Sequence, residues 1–401
     1  MRTISLVESK PQTLSLTAVQ AGQLSSLGRS LASDSTWWGE TSDTERPIPS
    51  VVQCERVAEN DYKVTVNDAI GAIGLGDVQL AVKPKVPLGH LVYLLEIADC
   101  IPRGSADRAY LEEEKAFTEL VMRWFIVALE KLLRLGLDRD YERTIGDLTF
   151  ARGRINALAT SRSLFAGRPI IRCEFDTFDV DTSLNRVLRA AVLHTMSSPA
   201  MSDDLRRRAR SVCQRLSGAG PLRPRDRSVM PDARTKHYRD AHQLALMVLS
   251  GSGMFLQQGA ASLWTFLYRT PEPVEEGIRA TLRRHLGHTW HITKKGKKLL
   301  GSKGRLLQPD LVFGDDFAVG DVKYQVTGGE ISRPNLNQVT TFATGYGVRK
   351  AVVVAFGHIP LGEYVQVGDV AVSGINWDTS VNDPTQSGVD LARRVASWLQ
   401  V

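Results

Sequence analysis

Three charged residues within two apolar segments near the C-terminus constrain the fold more than any other feature of the chain. Residues 308–325 read QPDLVFGDDFAVGDVKYQ, in which Asp310, Asp321 and Lys323 interrupt runs that are otherwise strand-like. Buried strands rarely carry charges unless those charges are paired or bind a metal. The intervening FGDDF supplies turn residues, so the two runs are predicted to form an antiparallel hairpin.

This hairpin is predicted to bring two carboxylates to one metal site. Side chains alternate between the two faces of a strand, so Asp321 and Lys323 point the same way. Antiparallel pairing then places Asp310 beside Asp321, where the two carboxylates repel each other unless a hard cation lies between them. Oxygen ligands suit Mg²⁺, with Mn²⁺ as an alternative, and the lysine would orient a water or stabilise charge on a phosphate. The alternative interpretation is a surface hairpin whose charges form solvated ion pairs.

The same residues resemble the core of PD-(D/E)xK nucleases. Pro309 and Asp310 match the PD element, and the segment from Asp321 to Lys323 matches the (D/E)xK element. The resemblance implies a restriction-endonuclease-like α/β core that hydrolyses phosphodiester bonds with Mg²⁺.

Two helices that flank the hairpin are implied to contribute further site residues. Before the hairpin, PVEEGIRATL offers Glu275 or Glu276 as the glutamate that many such nucleases carry. After it, Gln338 occupies the first position of a QxxxY motif, in which Phe342 replaces the tyrosine. The implied catalytic residues are Asp310, Asp321, Lys323, Glu275 and Gln338, and the implied metal ligands are Asp310, Asp321 and Glu275.

Segments outside this core resemble McrC, the nuclease subunit of McrBC-type modification-dependent restriction systems. In LAVKPKVPLGHLVYLLEIAD a strand ends in PK and a helix follows, FARGRINALATS is similar to the family's GRI motif, and IIRCEFDTFDVDTSLNRVLRAAV is similar to its stretch ending in LNR. FLYRTPEPVEEGIRATL lies where the family has its glutamate-bearing helix, and Glu275 is the closer match. These segments occur in family order and, with the hairpin, cover roughly residues 65–360.

The resemblance implies a DNA endonuclease that docks on a hexameric McrB-like AAA+ GTPase, stimulates its hydrolysis and cuts double-stranded, modified DNA. The chain fits this division of labour because it contains no GxxxxGK[ST] phosphate loop of its own. Two alternatives remain open. One is a stand-alone PD-(D/E)xK nuclease, and the other is an adaptor that activates a motor while its nuclease site is secondary.

Residue patterning predicts an α+β multidomain fold with three regions. Residues 1–105 alternate apolar and polar residues between glycines, which indicates a β-rich N-terminal domain, assigned as the motor-docking or partner region. Residues 106–250 are mostly of helical periodicity and include a basic strip. Residues 251–401 mix helices and strands and are assigned to the PD-(D/E)xK nuclease domain.

The charge of the chain favours an anionic partner. A net charge of +6 and a pI near 9.1 are compatible with nucleic acid binding. Candidate DNA-binding residues lie in LRRRARSVCQRL and TKKGKK, namely Arg206, Arg207, Arg210, Lys294, Lys295 and Lys297. For the arginines, a solvated helix face is the alternative interpretation.

The remaining sequence features indicate a soluble, cytoplasmic protein that does not associate with membranes. Four cysteines lie far apart without CxxC spacing, which is typical of reduced thiols rather than of disulfides or a zinc site. The N-terminal MRTISLVESKPQ lacks the apolar run of a signal peptide, and no apolar run is long enough to span a bilayer.

Overall fold

The computed structural model describes residues 2–33, 50–103, 117–198, 201–250, 252–255, 263–299, 306–327, 330–358 and 364–400 of the chain. Two compact units are formed. The first combines Met1–Leu120 with Gly253–Val401, and the second comprises Val121–Ser252.

The N-terminal part of the first unit consists mainly of strands, as the alternating pattern predicts. Its elements are β1 (Arg2–Val7), β2 (Gln12–Ser15), α1 (Ala18–Ser33), β3 (Val52–Arg56), β4 (Asp61–Val66), β5 (Ala69–Leu75), β6 (Val78–Lys83) and α2 (Leu88–Ile97).

The middle of the chain is helical as predicted, except for one sheet that the periodicity did not predict. Its elements are α3 (Phe117–Leu135), β7 (Asp140–Leu148), β8 (Arg154–Ile155), α4 (Ala157–Phe165), β9 (Ile171–Asp179), α5 (Ser183–Met196), α6 (Asp203–Arg215) and α7 (Arg239–Ser250). The three strands pair in the order β7-β9-β8. Strand β9 does alternate apolar and polar residues from Ile171 to Phe175, but the run is short, and the prediction for this region rested on the helical segments around it.

The C-terminal part alternates helices and strands, which confirms the predicted mixed α/β character. Its elements are β10 (Ser252–Phe255), β11 (Leu263–Arg269), α8 (Pro271–Leu286), β12 (Ile292–Thr293), β13 (Lys297–Lys298), β14 (Leu306–Leu307), β15 (Leu311–Phe313), β16 (Ala318–Val326), α9 (Arg333–Tyr346), β17 (Lys350–Gly357), β18 (Tyr364–Val367), β19 (Val370–Asp378) and α10 (Pro384–Gln400).

Two sheets organise the first unit. The C-terminal sheet has the strand order β12-β15-β16-β17-β19-β18, and β16, β17 and β19 run parallel to one another. Strand β17 reads KAVVVAFG and is almost entirely buried, as expected for a central parallel strand covered on both faces. Helix α9 packs on one face of this sheet, where Val339, Ala343 and Tyr346 join a core with strand residues such as Val353. This face also carries the predicted charged residues.

The other sheet joins the N-terminal and C-terminal parts of the chain. Its strand order is β1-β6-β5-β11-β10, and β11 runs antiparallel to β5 with Phe266 opposite Ala72. At this crossing only glycine fits at position 71, because its φ is +140° and an added Cβ would lie 2.0 Å from the Phe266 carbonyl oxygen. The N-terminal and C-terminal regions, predicted as separate domains, therefore share one sheet and belong to one compact unit.

In the second unit, two polar residues of the LNR segment form buried contacts that stabilise the fold. Asn185 donates hydrogen bonds to two backbone carbonyls and accepts one of 2.7 Å from the Tyr238 hydroxyl. The buried guanidinium of Arg186 contacts Asp226 at 2.8 Å and Asp181 at 3.1 Å. These charged hydrogen bonds satisfy polar groups that would otherwise be buried without partners, so both side chains tie α5 to its surrounding loops.

None of the described helices is both long enough and apolar enough to cross a lipid bilayer.

Candidate active site

The predicted hairpin is present and sets two aspartates opposite each other. Strand β15 pairs with β16 in antiparallel register, with Leu311 opposite Gly320. This register places Asp310, immediately before β15, across from Asp321. Both side chains are buried, with 6% and 3% of their surfaces exposed. One Asp310 oxygen also accepts a hydrogen bond of 3.0 Å from the Val322 backbone N–H, which fixes its orientation.

The lysine of the hairpin lies between one of these aspartates and a helix. Lys323 Nζ is 2.6 Å from Asp321 Oδ2 and donates a hydrogen bond of 2.9 Å to Gln338 Oε1 on α9. Gln338 therefore reaches the hairpin even though the tyrosine of the QxxxY motif is absent. Phe342, at the position of that tyrosine, packs in the apolar core beneath α9.

Helix α8 adds a third carboxylate and distinguishes between the two candidate glutamates. Glu275 Oε2 is 3.1 Å from Lys294 Nζ, and the same ammonium is 3.1 Å from Asp310 Oδ1. Glu276 instead pairs with Arg279 and Arg283. The structure thus brings Glu275, and not Glu276, to the aspartates.

Burial and charge repulsion shift the protonation of this cluster. Burial raises the pKa of Glu275 to about 8, and the charge of Asp310 adds to this increase against the opposing effect of Lys294. Burial likewise raises the pKa of Asp321 to about 7, with Lys323 opposing and Asp310 adding to the rise. For Asp310 the burial penalty is outweighed by Lys294 and by the Val322 N–H, so its pKa is lowered. Asp310 is therefore the carboxylate that is most readily ionised.

The oxygen donors of this cluster can serve a divalent cation. Within the described ranges, no three Asp, Glu, His or Cys side chains surround a common point. Mg²⁺ does not require such a cage, because it usually binds through one or two carboxylates together with waters and substrate phosphates. The facing carboxylates of Asp310 and Asp321 meet this requirement, and their hard oxygen donors suit Mg²⁺ or Mn²⁺ rather than soft metals.

Two residues of the site were not predicted in these roles. Lys294 was assigned to a DNA-contacting loop, yet its ammonium lies between Glu275 and Asp310. The buried Arg279 donates a hydrogen bond of 2.7 Å to the Asp310 backbone carbonyl, and so fixes the start of the hairpin against α8. Its spacing of four residues from Glu275 places both on one helix face, a signal available from the sequence.

Some of the other candidate DNA-binding side chains are exposed, and others already form hydrogen bonds or ion pairs within the chain. Arg206 donates hydrogen bonds to the backbone carbonyls of residues 196, 198 and 201, where it satisfies groups at the end of α5. Arg207 and Arg210 are exposed, and Arg207 pairs with Asp204. Lys295 and Lys297 each lie 3.8 Å from Asp316 in the hairpin turn.

The chain is therefore a mixed α+β protein with a buried polar cluster on one sheet. The cluster contains two facing aspartates and a lysine, and a glutamine from α9 contacts the lysine. The family described as McrBC 5-methylcytosine restriction system component matches residues 64–354, and the chain belongs to this family. This confirms the family to which the motifs were assigned.

Solved structures provide a second comparison. A chain in the refined half-complex from the tetradecameric assembly of Thermococcus gammatolerans McrB AAA+ hexamers with bound McrC has a TM-score of 0.66 at 18% identity, and the match covers 98% of this chain and 100% of that chain. The cryo-EM structure of the Thermococcus gammatolerans McrBC complex contains a match with a TM-score of 0.47 at 20% identity, covering 71% of this chain and 88% of that chain. The first similarity establishes a shared fold. No curated protein matches the sequence.

Proposed function

We propose that this chain is the Mg²⁺-dependent DNA endonuclease subunit of a modification-dependent restriction system, with a PD-(D/E)xK site. Mn²⁺ is the alternative cation. The observation that carries this proposal is the convergence of Asp310, Asp321, Lys323 and Gln338 at one hairpin, joined by Glu275 from α8. A surface hairpin with solvated ion pairs does not explain it, because both aspartates are buried.

Each side chain has a role that follows from its contacts. Asp310 and Asp321 would hold the cation, with Glu275 beside them. When bound, the cation supplies Lewis-acid stabilisation of charge on the scissile phosphate and the leaving oxygen. Lys323 is held by Asp321 and Gln338, so its remaining ammonium protons can be directed at the attacking water or a phosphate oxygen.

Separate replacement of each of the two neighbouring glutamates by glutamine tests this assignment. We expect Glu275→Gln to reduce Mg²⁺-dependent cleavage about 10- to 100-fold, because loss of a ligating or supporting carboxylate weakens the metal site. Glu276→Gln is the matched control, since Glu276 pairs with two arginines and not with the aspartates. Cleavage of modified DNA would be measured with the AAA+ partner, with and without EDTA. Equal activity of Glu275→Gln and wild type, or cleavage that survives EDTA, would refute the assignment.

A McrB-like AAA+ GTPase hexamer is the proposed partner. The structure with the related fold is described as containing McrB AAA+ hexamers and McrC. Because this chain contains no GxxxxGK[ST] phosphate loop, it corresponds to the McrC component. Double-stranded, modified DNA is the proposed substrate of the assembly.

The second unit offers a surface for this partner. Among the described residues, eight of nineteen exposed large apolar side chains lie between positions 141 and 178, seven on the β7-β9-β8 sheet or α4 and one, Phe150, between β7 and β8. Phe165 is 92% exposed and Tyr141 is 71% exposed, and the Tyr141 ring lies 5.0 Å from that of Phe178. Soluble chains rarely leave such a concentration uncovered unless it binds a partner. This favours the second unit over the predicted residues 1–105 as the docking region.

Substitution of the most exposed of these side chains tests the docking surface. Phe165→Ser combined with Tyr141→Ser is expected to weaken binding to the AAA+ partner about 10-fold or more, because large aromatic side chains dominate interface energies. Binding and stimulated GTP hydrolysis would be measured together. Tyr364→Ser, which changes an aromatic residue 66% exposed on β18, is the matched control. Unchanged binding by the double variant would exclude this surface.

The alternative functions give different results in the same assays. A stand-alone nuclease would cut DNA with Mg²⁺ equally well when the partner is omitted. An adaptor would retain its biological effect when Glu275→Gln or another variant of the site has lost cleavage.

A further inference from the structure

A buried polar cluster of the first unit lies outside the candidate active site and contacts two of its elements. We name it the Glu8 cluster, and its members are Glu8, Asp68, Lys85, Thr270 and Tyr324. Glu8 and Thr270 are completely buried, and the Thr270 hydroxyl donates a hydrogen bond to Glu8 Oε1. Lys85 Nζ is 3.9 Å from Glu8 Oε1 and 3.3 Å from Asp68 Oδ1. Lys85 thus lies beside both acidic groups of the cluster, and burial raises the pKa of Glu8 against the opposing charge of Lys85.

One arm of the cluster holds the start of α8, the helix that carries Glu275. Thr270 is the N-cap residue of α8; its side chain makes no capping hydrogen bond to the helix, and its hydroxyl donates to Glu8. The Thr270 backbone N–H donates a hydrogen bond of 3.1 Å to the Asp68 carbonyl, and its own carbonyl accepts from the Val274 N–H. The position of the first turn of α8 is therefore set by residues from the N-terminal part of the chain.

The other arm holds β16, the strand that carries Asp321 and Lys323. Tyr324 directly follows Lys323, and its ring is buried between the Lys85 ammonium, 4.3 Å from the ring centre, and the edge-on ring of Phe356. Burial raises the pKa of Tyr324 well above its ordinary value, and the adjacent Glu8 carboxylate raises it further. Glu8 and Lys85 therefore face β16 as well as α8.

The separation of α8 and β16 determines how the carboxylates of the site meet. Glu275 reaches Asp310 through one lysine ammonium, with both contacts at 3.1 Å. A buried carboxylate such as Glu8 is costly to desolvate, and it is stable only while its partners remain in contact. Movement of either element would break those contacts, so the cluster resists changes in the distance between the helix and the strand.

We propose that Glu8 and Lys85 are positioning residues for the candidate active site, holding α8 and β16 at the separation that sets Glu275 beside the two aspartates. The inference rests on the proposed function, because it assigns these residues a role in cation binding. Partners behind metal ligands orient those ligands, and their loss weakens metal binding without removing a ligand.

Mn²⁺ binding by the full-length chain tests this role through a readout other than cleavage. We expect Thr270→Val, which removes the hydroxyl and keeps the side-chain shape, to weaken Mn²⁺ affinity about 10-fold in calorimetry, and Glu8→Gln to do the same. Thr270→Ser, which keeps the hydroxyl, is expected to restore wild-type affinity. Glu59→Gln, at an exposed glutamate, is the charge-matched control. Titrations would be made well below the melting temperature of each variant.

The possible outcomes separate the inference from the proposed function. If Thr270→Val and Glu8→Gln melt at lower temperatures but bind Mn²⁺ as wild type does, the cluster is only structural and the inference is overturned. If Glu8→Gln fails to fold, the comparison of Thr270→Val with Thr270→Ser decides. If wild type itself binds no Mn²⁺, the proposed function is overturned instead.

Discussion

Asp321→Asn is expected to reduce Mg²⁺-dependent DNA cleavage about 1,000-fold or more, because loss of a cation-binding carboxylate removes several kcal/mol of transition-state stabilisation. Asparagine has nearly the same shape, so the hairpin should remain folded. Asp321 faces Asp310 across the hairpin and is 3% exposed, so no neighbouring solvated residue can replace its oxygen atoms. Cleavage would be measured with saturating AAA+ partner over a range of Mg²⁺ concentrations.

Asp315→Asn provides the matched control for this substitution. Asp315 lies in the turn of the same hairpin and is exposed, so the same change of charge there should leave cleavage unaffected. Cleavage by Asp321→Asn within a few fold of wild type would show that the two facing aspartates are not the catalytic site.

With EDTA present, Asp321→Asn is also expected to differ from wild type in how its stability depends on pH. The pKa of Asp321 is raised by burial to about 7, whereas an unfolded aspartate titrates near 4. The folded chain therefore holds this proton more tightly than the unfolded chain, and the free energy of unfolding falls as pH rises between about 4 and about 7. Asp321→Asn lacks this proton, so its stability relative to wild type should increase over that range in urea denaturation. If the difference in unfolding free energy between wild type and Asp321→Asn stayed the same from about pH 4 to about pH 7, the raised pKa of Asp321 would be contradicted.

Lys323→Met is expected to lower the cleavage rate about 100- to 1,000-fold while the cation still binds, because one preorganised donor to the reacting groups is lost. Methionine retains most of the apolar stem and removes the ammonium that contacts Asp321 and Gln338. Single-turnover cleavage and Mn²⁺ calorimetry would be measured on the same preparation.

Lys63→Met serves as the control for the lysine substitution, since Lys63 is an exposed lysine on β4 and belongs neither to the candidate site nor to the candidate DNA-binding residues. Loss of Mn²⁺ binding together with cleavage in Lys323→Met would assign the lysine a role in holding the carboxylates. If Lys323→Met cleaved DNA at the wild-type rate, Lys323 would have no role in the mechanism.

Much of the candidate site was predictable because its signal is local. Asp310 and Asp321 are separated by ten intervening residues that include a turn, and alternation along a strand is sufficient to place Lys323 on the same face as Asp321. The PD-(D/E)xK assignment and the roles of these residues stay predictions for the experiments above. The family, by contrast, is established by the match over residues 64–354.

Contacts between distant segments were not predictable from local patterns. The motif left Glu275 and Glu276 as alternatives, and the choice depends on how α8 rotates against the hairpin, which Arg279 helps to fix through the Asp310 carbonyl. Lys294 was predicted in a basic loop because its neighbours are basic, yet the fold directs its ammonium between two carboxylates. The β7-β9-β8 sheet was missed because the helical segments around it decided the assignment of the region, although Ile171, Cys173 and Phe175 of β9 alternate with polar residues.

The sequence by itself determined the hairpin, the facing aspartates and the family, since these depend on short-range periodicity and on motifs in a fixed order. Only the tertiary structure decided that β11 pairs with β5, that Glu275 rather than Glu276 meets the aspartates, and that Glu8 lies against both α8 and β16. The physical reason is that burial and pairing of charges depend on which distant segments pack together. Periodicity assigns a residue to a face, and packing of the whole chain determines what that face meets.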